Sequence, residues 1–162
     1  MSRVLIRYAL PQDIDRLVAD RVLTGPTPSG EPWSSRAQKW HAEQTAGRRL
    51  ILVAEGGNGL LGMVQLVFRF PAGYADPEAA NGVDVAMVET LRTRSDAPPG
   101  VATQLISDVQ GIAKKRSIKT LTFLLSMNDT RAITQARSWG FEEFRIMPEP
   151  GRMLAFFRKS VE

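Results

Sequence analysis

Glu89 is the residue most able to do chemistry. It stands in the run Val85-Ala86-Met87-Val88-Glu89-Thr90-Leu91-Arg92-Thr93. In an extended chain this places Glu89 on one face with Val85, Met87 and Leu91. A carboxylate on an otherwise apolar face either pairs with a cation or lines a pocket. Partial burial would raise its pKa toward the range a general base needs at neutral pH. A structural ion pair with Arg69 or Arg92 is the other reading, and the residues leave both open. Just downstream, Ala97-Pro98-Pro99-Gly100-Val101-Ala102 leads into a helical pattern. A helix entered through such a turn has N–H groups at Gly100, Val101, Ala102 and Thr103 without intrahelical acceptors. Those donors and the helix dipole make a site for a diphosphate. Arg92 and Arg94 could add charge, because arginine grips phosphate with a fork. Taken alone, Pro-Pro-Gly reads as a rigid turn; the elements around it favour the phosphate reading.

Other candidates carry less. The chain has no cysteine and one histidine, His41. Disulfides, thiolate catalysis and Cys-based zinc sites are therefore excluded, and a multi-His metal centre is implausible, so no metal is expected. His41 reads as a helix-surface residue and Trp40 as core. Trp33 flanks the Gly- and Pro-rich stretch Gly25 to Pro32, Tyr74 sits in a surface loop, and Glu55 ends a strand. Ser126 and Ser138 read as ordinary polar residues. The net charge of +4 suits an anionic ligand. No basic stripe with interleaved aromatics supports nucleic-acid binding. Lys114-Lys115-Arg116 lies at a helix end, where cations favour the dipole. No apolar run approaches the ~20 residues of a membrane span. Val4-Leu5-Ile6 is too short for a signal-peptide core. A cytoplasmic protein without membrane contact is expected.

These residues need a scaffold, and the pattern supplies one. Val4 to Ala9 is a β-rich run. Pro11 opens a helix with Ile14, Leu17, Val18 and Val22 at helical spacing. Gly25 to Pro32 must be a loop, after which Ser34 or Ser35 can cap a second helix reaching about Glu43, with Gly47 as its stop. Leu50 to Glu55 and Leu60 to Phe70 flank Gly56-Gly57-Asn58-Gly59 as a hairpin. Residues 71–82 form a loop. Asp84 to Thr93 is a central strand, apolar on both faces. Val101, Leu105, Val109 and Ile112 mark the buried stripe of a helix from Gly100 to Arg116. Thr120 to Ser126 is a strand, and Asp129 to Trp139 a helix stopped by Gly140. Phe141 to Met147 and Met153 to Arg158 close a last hairpin through Pro148-Glu149-Pro150-Gly151. The order β-α-α-β-β-β-α-β-α-β-β predicts an α/β fold: one domain over residues 1–162, a mixed sheet with helices on both faces.

That order, with Ile6-Arg7-Tyr8-Ala9, Gly62-Met63-Val64, the strand at Val88–Asp96 and Asn128…Arg131-Ala132-Ile133…Gly140-Phe141, resembles the Gcn5-related N-acetyltransferase (GNAT) superfamily. The resemblance covers nearly the whole chain and implies acyl transfer from acetyl-coenzyme A to an amine. It implies that Leu91, Arg92, Thr93 and Arg94 flank the cofactor. Gly100, Val101, Ala102 and Thr103 would hold its diphosphate, Asn128 would lie near it, and Glu89 would take the amine proton. The first loop, with Trp33, Trp40 and His41, would wall the acceptor site. Two positions depart from the family. Ala97 stands where the turn usually has Gln or Arg, and Pro98 and Pro99 bring no N–H. Ala136 stands where a tyrosine often protonates the departing thiolate.

The expected function is N-acetylation of a primary amine on a small molecule or peptide, with a homodimer possible. The two departures carry an alternative, a protein of this fold that binds a ligand or partner without acyl transfer.

Overall fold

The computed structural model describes residues 3–27, 29–70 and 76–161. Eleven elements follow the expected order: β1 (Leu5–Tyr8), α1 (Asp13–Ala19), α2 (Trp33–Thr45), β2 (Arg49–Gly56), β3 (Gly59–Val67), β4 (Val85–Thr93), α3 (Val101–Lys115), β5 (Thr120–Ser126), α4 (Thr130–Ser138), β6 (Glu142–Glu149) and β7 (Arg152–Ser160). The strands form one sheet in the order β1-β2-β3-β4-β5-β7-β6. It is mixed: β4 and β5 run parallel, while β1–β2, β5–β7 and β6–β7 are antiparallel. The chain divides into two compact units, Met1–Leu66 with Thr90–Asp108, and Val67–Glu89 with Val109–Glu162. No helix among the described residues is long and apolar enough to cross a membrane.

In the first unit, Ile14 and Leu17 of α1 and Ala37 and Trp40 of α2 pack with Ile51, Val53 and Met63 from β2 and β3. Strand alternation sends the neighbour of Met63 to the opposite face. That neighbour is Gly62, and a Cβ built on it would lie 3.3 Å from Leu105 of α3. Helices thus cover both faces here, as expected. The same Cβ would stand 2.9 Å from the Arg92 carbonyl oxygen. Glycine at 62 is what lets β3 approach β4 so closely.

Asp13 anchors the first crossing. It is fully buried, and it accepts hydrogen bonds from both terminal nitrogens of Arg7 (2.6 and 3.1 Å) and from the Leu10 N–H (2.7 Å). Arg7 and Arg16 also bond Glu55. Burial alone would push the Asp13 carboxyl up; the Arg7 bond, the Leu10 N–H and the charges of Arg7 and Arg16 outweigh it and hold the pKa below the ordinary aspartate value.

In the second unit, Val67, Ala79, Ala80, Met87 and Phe156 form a core cluster. Phe123 of β5 meets Phe141 edge-on at 5.8 Å. The Thr122 hydroxyl, buried, donates to the Ala79 carbonyl at 2.7 Å. The last hairpin turns through Pro150 and Gly151, whose φ is +79°.

Several boundaries move for identifiable reasons. Pro11 does not open α1; Gln12 precedes the first helical residue. Neither Ser34 nor Ser35 caps α2. Pro32 does, with ψ of 145°, and its carbonyl accepts the N–H groups of Ser35 and Arg36, so Trp33 becomes the first helical residue. β3 stops at Val67. All four helices end with paired hydrogen bonds around a residue at positive φ. Gly47 and Gly140 fill that position as the sequence signalled, but Arg21 and Ser117 (φ 60° and 61°) do the same for α1 and α3.

Candidate active site

The turn between β4 and α3 is built from both ends. The Arg94 N–H donates to the Leu61 carbonyl at 2.7 Å, which extends the β3–β4 ladder past Thr93. The Ala97 N–H returns to the Arg94 carbonyl at 2.9 Å, folding Ser95 and Asp96 outward. Pro98, Pro99 and Gly100 are exposed. Gly100 has φ of +92°, and a Cβ built on it would meet nothing within 4 Å. Its conformation demands glycine; the space around it does not. The Gly100 carbonyl accepts the first helical bond, from the Gln104 N–H at 2.9 Å. Val101 and Leu105 bury the inner side of this turn. The N–H groups of Gly100, Val101 and Ala102 consequently have no acceptor within their helix and stand at its positive end. Thr103, the fourth expected donor, is exposed and engaged in an interaction of its own.

The two arginines upstream go to different places. Arg94 pairs with Asp96 and holds the Asp96 carboxyl below its ordinary pKa through that hydrogen bond. Arg92 turns to the first loop. Its Nη1 donates to the Thr24 carbonyl at 3.0 Å, and its guanidinium lies 4.6 Å from the Trp33 ring centroid. Burial pushes its pKa down. Leu91 is half-buried and Thr93 exposed at the end of β4.

Glu89 is half-buried and makes an interaction of its own. The expectation that it shares a face with Leu91 is corrected by the next residue. Thr90 has φ of +52°, far from strand geometry and costly for a β-branched side chain. The alternation is interrupted there, so Val85, Met87 and Glu89 cannot be carried to Leu91 by counting. The parallel ladder of β4 with β5 ends just before, at the Val88–Phe123 pair. Asn128 is exposed, its N–H 3.3 Å from the Ser126 hydroxyl oxygen. Its neighbour Asp129 caps α4, accepting from the Ala132 N–H at 3.0 Å. Ala136 is fully buried, and its carbonyl accepts the Phe141 N–H in the turn that ends α4. Tyr74 lies outside the described residues. Trp40 is core, as read, whereas His41, read as a helix-surface residue, is half-buried on α2. Glu55 lies in β2, where the bonds from Arg16 and then Arg7 hold its carboxyl below the ordinary glutamate pKa.

Comparison with protein-family models finds no match, and neither does comparison with curated proteins. Solved structures do match. An N-acetyltransferase from Staphylococcus aureus Mu50 is similar over 99% of each chain, with TM-score 0.77 and 18% identity. A ribosomal-protein-alanine N-acetyltransferase from Brucella melitensis is similar over 96% of this chain and 99% of its own, at 0.72 and 23%. An aminoglycoside 6'-N-acetyltransferase complexed with coenzyme A reaches 0.74 at 14%, over 98% and 97%. The fold is that of the Gcn5-related N-acetyltransferases.

Reading the sequence misses one group. Trp33, Arg36 and Arg92 converge, with Arg36 5.9 Å from the Trp33 centroid. Trp33 and Arg36 are three apart on a helix and so share a face, a signal hidden by placing the helix start two or three residues late.

Proposed function

We propose that the protein is a coenzyme A-dependent N-acyltransferase that moves an acetyl group to a primary amine by direct attack. The single observation that carries this is the acetyltransferase fold over nearly the whole chain, supported by a positive-φ glycine that opens α3. The N–H groups of Gly100, Val101 and Ala102 would bind the diphosphate. Thr103 is the fourth donor that the resemblance gives the diphosphate, and Asn128 a further residue that it assigns to the cofactor. The β4 segment Leu91, Arg92, Thr93 and Arg94 would lie along the pantetheine, its backbone polarising the thioester carbonyl. Arg94 is tied to Asp96, so its charge reaches a phosphate only after exchanging that partner.

The step balances simply. The amine nitrogen forms a bond to the thioester carbonyl carbon and the carbon–sulfur bond breaks. The amine proton passes to the Glu89 carboxylate, directly or through a water. The thiolate leaves without a side-chain acid at position 136 and takes its proton from solvent. Pro98 and Pro99 bring no N–H to the turn, so the diphosphate has fewer donors and weaker affinity than a full turn supplies.

Those same two features support a second reading, a ligand- or partner-binding protein of this fold without acyl transfer. Titration calorimetry with acetyl-coenzyme A, using desulfo-coenzyme A and ADP as controls, separates them. Binding in the micromolar range, about −8 kcal/mol, followed by acetylation of an amine panel, is expected. Binding without turnover on any amine selects the second reading, and no binding at millimolar concentration removes the first.

A further inference from the structure

Six arginines among the described residues pair with an acid. Arg7 pairs with Asp13, Arg16 with Glu55, Arg49 with Glu43, Arg94 with Asp96, Arg145 with Asp76 and Arg152 with Glu149. Arg36 and Arg92 are in none of these pairs, and unlike the other arginines outside them they share one aromatic ring. Both are half-buried, and both lie against the same indole. Arg92 stands 4.6 Å and Arg36 5.9 Å from the Trp33 centroid, and Arg36 is also 5.7 Å from that of Trp40. The nearby acid, Glu31, feels the Arg36 charge but gives its carboxylate to Lys39 at 2.9 Å.

The wall behind these cations is fixed. The Trp33 indole N–H donates to the Thr24 and Gly25 carbonyls at 3.2 and 2.8 Å. Arg92 bonds that same Thr24 carbonyl. One ring therefore holds the loop, α2 and β4 together and presents two guanidinium groups. Arg36 Nε is buried and lacks a hydrogen-bond partner. An orphan donor of this kind costs about 1–3 kcal/mol. Two partly desolvated like charges beside one ring add repulsion that indole contact only partly offsets. Helix and strand could have been tied together more cheaply by apolar residues. An oxyanion would cancel the charge and fill the donor forks.

The geometry points to Trp33, Arg36 and Arg92 as a subsite for an oxyanion carried by the acceptor, so that the favoured amines bear a carboxylate or phosphate-type group. This rests on the acyl-transfer reading for the word acceptor; the anion site itself does not.

The test reads the Trp33 indole N–H by NMR in the full chain, its signal assigned with Trp33→Phe. Acetate and inorganic phosphate are titrated against chloride at equal ionic strength, which separates carboxylate from phosphate preference. Calorimetry then compares an amino acid, its decarboxylated amine and its aminophosphonate counterpart, with and without acetyl-coenzyme A. A saturable shift with acetate or phosphate, lost in Arg92→Met and in Arg36→Met, is expected. So is affinity for an anionic amine at least about tenfold above that of its decarboxylated form. Equal response to chloride, or equal binding of the charged and decarboxylated amines, overturns the proposal. Abolition of the shift by acetyl-coenzyme A alone also overturns it, because the anion would then be the cofactor's own phosphate. The wild-type comparison decides the matter even if a variant does not fold. An intact anion response with no acetyl transfer would refute acyl transfer and leave the subsite standing.

Discussion

Replacing Gly62 by alanine tests whether the close approach of β3 to β4 is real and whether it matters for the cofactor strand. The added Cβ would sit 2.9 Å from the Arg92 carbonyl oxygen and 3.3 Å from Leu105 Cδ1 and Thr93 Cγ2. The two side-chain atoms can yield by a rotamer adjustment. The carbonyl belongs to the neighbouring strand and cannot move alone. Overpacking of this kind costs about 1–3 kcal/mol. Alanine returns about 0.5–1 kcal/mol, because glycine loses more backbone entropy in a strand. The net loss centres on roughly 1 kcal/mol, which for a chain of this size lowers Tm by roughly 2–4 °C. Gly57→Ala is the matched control, since a Cβ there meets nothing within 4 Å and its φ is not left-handed. Thermal unfolding followed by circular dichroism gives the stability, and calorimetry with acetyl-coenzyme A the binding. Because the displaced carbonyl lies in the segment proposed to run along the pantetheine, affinity should fall too. A Gly62→Ala protein as stable as the wild type would show slack between these strands and refute the reasoning. Lost stability with unchanged binding would detach Arg92 and Thr93 from the cofactor.

Other perturbations follow from the same structure. Gly111→Ala, in α3 where a Cβ meets nothing, should stabilise by about 1 kcal/mol in denaturant unfolding; a loss would contradict the open space seen there. Ser117→Gly should also stabilise, by about 1–2 kcal/mol, because Ser117 holds a left-handed φ of 61°; an unchanged midpoint would count against strain at that cap. Asp13 has a folded pKa below its ordinary value, so its contribution is complete above about pH 4 and fades as pH falls through the folded pKa. Asp13→Asn should destabilise at neutral pH by about 2–4 kcal/mol and flatten the acid limb of the stability profile, and an unaltered acid limb would refute the assignment. Glu89→Gln should lower kcat by about a hundredfold or more with little change in acetyl-coenzyme A affinity; full activity would move the base elsewhere.

Periodicity made the element order legible because each element carries its own buried stripe. Leu105 and Val109 on α3 are buried, and Gly47 and Gly140 ended α2 and α4 where read. Gly100 was legible as the entry to α3 for a local reason, since a left-handed φ before a helix selects glycine. The same local logic fails for Arg21 and Ser117, which take that conformation with ordinary side chains in the same paired hydrogen-bond pattern. Start positions fail similarly, as Pro32 rather than a serine opens α2.

The sequence by itself determined the sheet-and-helix order, the absence of cysteine chemistry, the glycine-led turn and the lack of a tyrosine at position 136. All of these are properties of single residues or of near neighbours along the chain. Only the tertiary structure decided that Thr90 interrupts the alternation after Glu89, that Asp13 is a buried charge satisfied by Arg7, and that Arg92 meets Trp33 and Thr24. Arg92 and Thr24 are 68 positions apart. No local propensity encodes such a pairing; it arises because the fold brings the end of β4 beside the Thr24 carbonyl and the Trp33 ring.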